Sequence, residues 1–253
     1  MLIDVTRDGA TAILTMNDPG RRNALSPDMR AQMLTAADAA MMDADVRAIV
    51  IAGQGDHFCA GGDLKSMRSG DPVYARARMM VTERLVRVLA AGPKPVIAAV
   101  EGFAFGAGLS LAALADFNVV SDTAKFGAVF GKVGLMGDVG LLWSLPARIG
   151  ATRAKQFLMM NTVVDAADAP AGLVDDLCAP GRALERAVAR AASFRDMAPL
   201  PLAALKSAFG QMQDFDRALS READMQAYLM ASNDHAEGRA AFFEKRDPQF
   251  RGT

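Results

Sequence analysis

The segment KPVIAAVEGFAFGAGLSL at residues 94–111 joins three different backbone habits within eighteen positions. A proline-led apolar run over 96–100 lacks the alternation of a half-exposed strand and is predicted as a buried one. Residues 101–105 read as turn, followed by Gly106-Ala107-Gly108 and an Ala/Leu-rich helix to Ala115. Strand, glycine turn and helix together aim unpartnered backbone N–H groups at an incoming oxygen, because the first turn of a helix has no internal acceptors for them. A second turn of the same make, GQGDHFCAGGDL at 53–64, follows another buried strand at 48–52 and precedes a helix marked by Val81, Leu85, Val88 and Leu89.

The remaining elements fit an α/β chain. Residues 2–6 and 11–16 alternate around Asp8-Gly9 as a hairpin. Ser26-Pro27-Asp28 is an N-cap, a first-position proline and a first-turn acid, so a helix is predicted from there to about residue 42, with Met29, Met33, Ala36, Ala37 and Ala40 on its apolar face. Short strands are expected at 117–120 and 125–128, and helices at 141–149 and 152–159. Beyond Pro180 the sequence turns Ala-rich and charged, with helices predicted near 182–195, 200–212 and 216–231. Strands with helical crossovers followed by a helical tail suggest an α/β core at 1–195 and a helical region at 196–253.

A net charge of −1 without a basic block argues against nucleic-acid binding, and no apolar run is long enough for a membrane span. The N-terminus lacks the pattern of a signal peptide, and Cys59 and Cys178 stand apart without metal-ligand spacing. A soluble, cytoplasmic protein without a metal site is the expectation.

The glycine turns admit several chemistries. Dinucleotide binding requires a third glycine where Leu111 stands, and a first-unit rather than mid-chain turn. Tight packing of helix on sheet explains the glycines without any ligand. An oxyanion hole from Gly62 and Ala107 requires the two turns to be neighbours, which spacing does not establish. His57 suits a loop or core role better than catalysis. Asp138, bracketed by glycines, is either an acid/base group or the N-cap of a helix starting near Val139. Asp63 reads as the cap of a helix starting at Leu64.

The motifs FCAGGDL (58–64), KPVIAAVEG (94–102), GAG (106–108) and AKF (124–126), in this order and spacing, resemble the crotonase superfamily of enoyl-CoA hydratases and isomerases along essentially the whole chain. The resemblance implies a spiral of ββα units with a C-terminal helical trimerisation region, in a homotrimer or a dimer of trimers. It implies an acyl-CoA substrate whose thioester oxygen lies between the N–H groups of Gly62 and Ala107, with no cofactor beyond the coenzyme A moiety itself. The coenzyme A handle falls to Arg21 or Arg22, Ala24, Phe58, Ala60, Gly61, Asp63 and Leu64, and to Phe242 and Lys245 from the tail. The two glutamates that activate water in the family's hydratases align with Ser110 and Phe130, so hydration is disfavoured. Asp138 is similar to the single aspartate of 1,2-epoxyphenylacetyl-CoA isomerases of phenylacetate degradation, which implies double-bond isomerisation with Asp138 as proton shuttle. A hydratase, a silent acyl-CoA-binding subunit and a nicotinamide-dependent dehydrogenase are the alternatives.

Overall fold

In a computed structural model, residues 1–66, 72–130 and 137–211 are described, together with single positions between 233 and 253. Strands β1 (Ile3–Asp8) and β2 (Thr11–Met16) form the expected antiparallel hairpin, from Ile3 opposite Met16 to Asp8 opposite Thr11. β3 (Ala48–Gly53), β4 (Val96–Val100), β6 (Phe117–Ser121) and β9 (Asp176–Cys178) extend it in parallel, giving the order β1-β2-β3-β4-β6-β9. A second sheet runs β5-β7-β8, from β5 (Phe103–Phe105), β7 (Lys125–Gly127) and β8 (Val163–Asp165).

The unbroken apolar runs are explained by cover on both faces of the larger sheet. Ile49 and Ile51 of β3 and Val96, Ala98 and Val100 of β4 enter the main core. Ala48, Val50, Ala52, Ile97 and Ala99 face the opposite way, towards α6 (Ala183–Ala192). That helix lays Ala183, Ala187 and Ala191 on the sheet, an i, i+4 stripe whose small side chains permit close approach. Glu101, at the end of the β4 motif, accepts a hydrogen bond from the Ala183 N–H at 3.0 Å and so caps this distant helix.

The main core also takes in α1 (Pro27–Met42), α2 (Pro72–Ala91) and α3 (Ala107–Leu114). Ser26 caps α1 as its sequence predicts, accepting from the Met29 N–H at 3.2 Å, with Pro27 at the first helical position. Helices α4 (Leu141–Ile149), α5 (Ala151–Met159) and α7 (Pro199–Gln211) also match the sequence reading, whereas 216–231 lies outside the described residues. Residues 101–105 are a correction. They contain β5, because Phe103 and Phe105 pair with Lys125 and Gly127 in the second sheet. Among the described residues, no helix is long and apolar enough to cross a membrane.

Candidate active site

The two glycine turns lie side by side, as an oxyanion hole requires. The Phe58 N–H donates to the Glu101 carbonyl at 2.7 Å, Cys59 N–H to Phe103 at 2.8 Å, and Phe105 N–H to Cys59 at 3.0 Å. This ladder brings the start of α3 against the first turn. A Cβ on Gly108 would stand 2.2 Å from the Cys59 carbonyl oxygen, so the approach depends on glycine there. A Cβ on Gly61, where φ is +118°, would lie 3.9 Å from the Ala107 nitrogen.

The neighbouring N–H groups are spent on the protein itself. Gly106 donates to Gly127 at 2.8 Å, Ala60 to Arg22 at 2.9 Å and Asp63 to Leu25 at 3.4 Å. The Gly62 and Ala107 N–H groups donate to no acceptor among the described residues. Two unspent donors on adjoining, rigidly hydrogen-bonded turns can hold an oxygen that gains charge during a reaction.

Residues 17–25 form the outer wall. Leu25 bridges in parallel to Gly62, which ties Ala24 and its neighbours to the first turn. Asn23, fully buried and left-handed with φ of 55°, donates through Nδ2 to Gln54 at 3.0 Å and His57 at 2.7 Å, while its Oδ1 accepts from Asp18 at 2.9 Å. Asn23→Ala is expected to leave buried carbonyls unpaired and to lose about 2–4 kcal/mol of stability, read from urea denaturation. Unchanged stability would show that this clasp does not hold the wall.

Arg21 is bound to Asp18 at 2.6 Å and lies 3.7 Å from Asp63, whose charges hold its guanidinium protonated. Arg22 instead lies over the Phe103 ring at 5.6 Å and pairs with no carboxylate among the described residues. Asp63 accepts from the Lys65 N–H at 3.1 Å and caps the short 3-10 turn Leu64–Ser66, the role its sequence predicts. His57 stacks on Phe103 at 4.3 Å and its Nδ1 accepts from the Phe103 N–H at 3.3 Å, so it braces the turn. Burial pushes the Cys59 thiol up to about 11, which leaves it unreactive. Phe242 and Lys245 lie outside the described residues.

The two positions that the family resemblance sets against water-activating glutamates carry no carboxylate. Ser110 is fully buried in α3 and donates to the Gly106 carbonyl at 3.3 Å. The Phe130 ring lies 3.9 Å from where a Cβ on Gly106 would be, so it flanks the second turn with apolar surface.

Asp138 resolves differently from its capping alternative. Val139 and Gly140 are left-handed, at φ of 55° and 73°, which delays the helix to Leu141 and makes Gly140 its N-cap. The Asp138 side chain therefore does not cap α4, and its carbonyl accepts from the Leu141 N–H at 3.2 Å instead. A buried β-branched residue in that conformation is strained, and such strain gathers where a neighbouring group must be aimed. The Asp138 carboxylate is 27 % exposed and faces the Arg30 guanidinium at 3.9 Å. Arg30 is absent from the sequence-level candidates. Its signal is its phase on α1, four residues before Leu34 and seven before Ala37, on the buried face.

The sequence matches the enoyl-CoA hydratase/isomerase family over residues 6–253. The chain belongs to that family. It is 34 % identical to the 2,3-dehydroadipyl-CoA hydratase of Escherichia coli K12, over 98 % of each chain. It is 36 % identical to the 1,2-epoxyphenylacetyl-CoA isomerase of the same organism, over 94 % of each. The crystal structure of an enoyl-CoA hydratase from Polaromonas sp. JS666 superimposes with a TM-score of 0.90 at 35 % identity, covering 98 % of this chain and 99 % of the other. The crotonase-type α/β fold expected from the motifs is thus the fold of this family member.

Proposed function

We propose that this family member catalyses double-bond migration in an enoyl-CoA thioester. The thioester oxygen lies between the N–H groups of Gly62 and Ala107. Asp138 removes a proton from Cα of a 3-enoyl-CoA, and the electron pair moves onto that oxygen to give a dienolate. The same carboxylic acid returns the proton at Cγ, the enolate electrons flow back, and the 2-enoyl-CoA results. Each backbone donor contributes about 3 kcal/mol of transition-state stabilisation at such sites.

The observation that supports this reading is two unspent backbone donors on adjoining turns in a chain whose candidate proton carrier is Asp138. Ser110 is tied to Gly106, Phe130 is apolar, and Asp138 is kept from capping its helix. One carboxylate suffices to carry a proton between two carbons on one face of the substrate, whereas hydration needs a group to activate water as well. Arg22, rather than the ion-paired Arg21, is then the cation offered to the coenzyme A phosphates. The coenzyme A backbone runs along Ala24, Phe58, Ala60, Gly61, Asp63 and Leu64, and the substrate is the sole carrier of cofactor chemistry. Residues 196–253 supply the trimer contacts in a homotrimer or dimer of trimers, and Phe242 and Lys245 approach the coenzyme A from this tail.

Hydration is the second reading, favoured by similarity at 34 % identity to the 2,3-dehydroadipyl-CoA hydratase of Escherichia coli K12 and the crotonyl-CoA hydratase of Syntrophomonas wolfei. The two separate on product mass. Trans-3-hexenoyl-CoA is expected to become its 2-enoyl isomer without change of mass, and crotonyl-CoA to stay as it is. Gain of one water by crotonyl-CoA at a comparable rate would replace isomerisation by hydration.

A further inference from the structure

We infer that Arg30 is the positioning residue for Asp138, holding its carboxylate within reach of the substrate without locking it in place. This inference rests on the reading of Asp138 as the proton shuttle. Arg30 projects from the core face of α1 and is 1 % exposed, an arrangement that is unfavourable for a cation unless a counter-charge is near. A carboxylate it faces is that of Asp138, 3.9 Å away and next in sequence to the left-handed Val139-Gly140 turn. Thr82 of α2 steadies the guanidinium from the side, its Oγ1 accepting from Nη1 at 2.7 Å. Three separate elements therefore meet at this pair.

The spacing matters. At 3.9 Å the pair is too long for a hydrogen bond but well within the range of charge attraction in a poorly solvated site. A carboxylate held by two short bonds to a guanidinium fork would be fixed in one orientation. Held at this longer range, it can turn between two carbons of one acyl chain. Charge also balances through the step. As Asp138 takes the proton, its negative charge passes to the enolate oxygen, so the step itself leaves the charge of the site unchanged.

The test compares variants by kcat and KM for trans-3-hexenoyl-CoA isomerisation, alongside Asp138→Asn. Arg30→Met, which keeps the length and apolar stem, is expected to lower kcat about 100-fold with little change in KM, the scale of a misplaced catalytic group. Arg30→Lys is expected to recover a large part of that loss by restoring charge. Millimolar guanidinium should raise kcat of Arg30→Ala at least several-fold, and urea at the same concentration should not. A purely structural role predicts equal effects of guanidinium and urea, and that outcome overturns the inference. So does a kcat for folded Arg30→Met within threefold of the parent while Asp138→Asn is inactive. If Asp138→Asn is itself fully active, the shuttle assignment fails and the Arg30 inference falls with it.

Discussion

Asp138→Asn is expected to abolish proton transfer while sparing acyl-CoA binding. The amide has the shape of the carboxylate but no basicity, so kcat for 3-enoyl-CoA isomerisation should fall about 10²–10⁴-fold, the range for removal of a general acid/base. KM should move little, because the coenzyme A handle and the Gly62–Ala107 donors are untouched. Stability should also fall, since the amide leaves the Arg30 cation facing a neutral group. The pair is loose and Asp138 is partly solvated, so that cost is about 1–3 kcal/mol, below the value for a closely bonded buried pair. Steady-state kinetics and urea denaturation measure the two effects separately. Full activity in the folded variant would move the shuttle to another group.

Gly108→Ala is expected to damage both turns at once. Its new methyl group would stand 2.2 Å from the Cys59 carbonyl oxygen and 3.0 Å from the Cys59 carbonyl carbon, all backbone that cannot rotate aside. The turns must part by on the order of 1 Å to restore ordinary contact, and a displacement of that size costs about 10²-fold in rate when it moves a catalytic group. Because the displaced groups are the oxyanion donors, the loss should appear in any reaction through the enolate, whether isomerisation, α-proton exchange or hydration. Overpacking should remove a further 1–3 kcal/mol or so of stability, which corresponds to roughly 2–12 °C in Tm for a chain of this size. Asp138→Asn and Gly108→Ala thus differ in kind: the first silences proton transfer alone, and the second weakens everything that builds charge on the thioester oxygen. Parent-like kcat/KM in Gly108→Ala would remove the adjoining turns from the mechanism.

The strands and caps were legible in the sequence because their causes are local. β3 and β4 are apolar at every position because each is covered on both faces, and Ser26-Pro27 has one good place in a helix. β8 and β9 were not legible. Each spans three residues, too few for a period, and each exists because a distant partner fixes its register. The site divides along the same line. Glycines at 61, 62, 106 and 108 advertise close backbone approach, but the bridge from Cys59 to Ala104 that makes the turns neighbours is a long-range fact. The sequence left a helix start at Leu141 and one near Val139 both open, and the left-handed Val139 and Gly140 decide for Leu141 and against Asp138 as the cap. Arg30 was within reach of the sequence: an arginine in phase with Leu34, Ala37 and Met41 is out of character for a solvent face. His57 behaves as its surroundings suggested, spent on Phe103.

Proton NMR of the protein with trans-3-hexenoyl-CoA in deuterated water tests the central claim most directly. A single carboxylate working over one face of a dienolate should move the double bond to the 2-position, with deuterium appearing at Cα or Cγ and no 3-hydroxy product. The Asp138→Asn protein should leave the spectrum unchanged over the same interval. A 3-hydroxyacyl-CoA formed as the first product, or deuterium exchange that persists in Asp138→Asn, would contradict it.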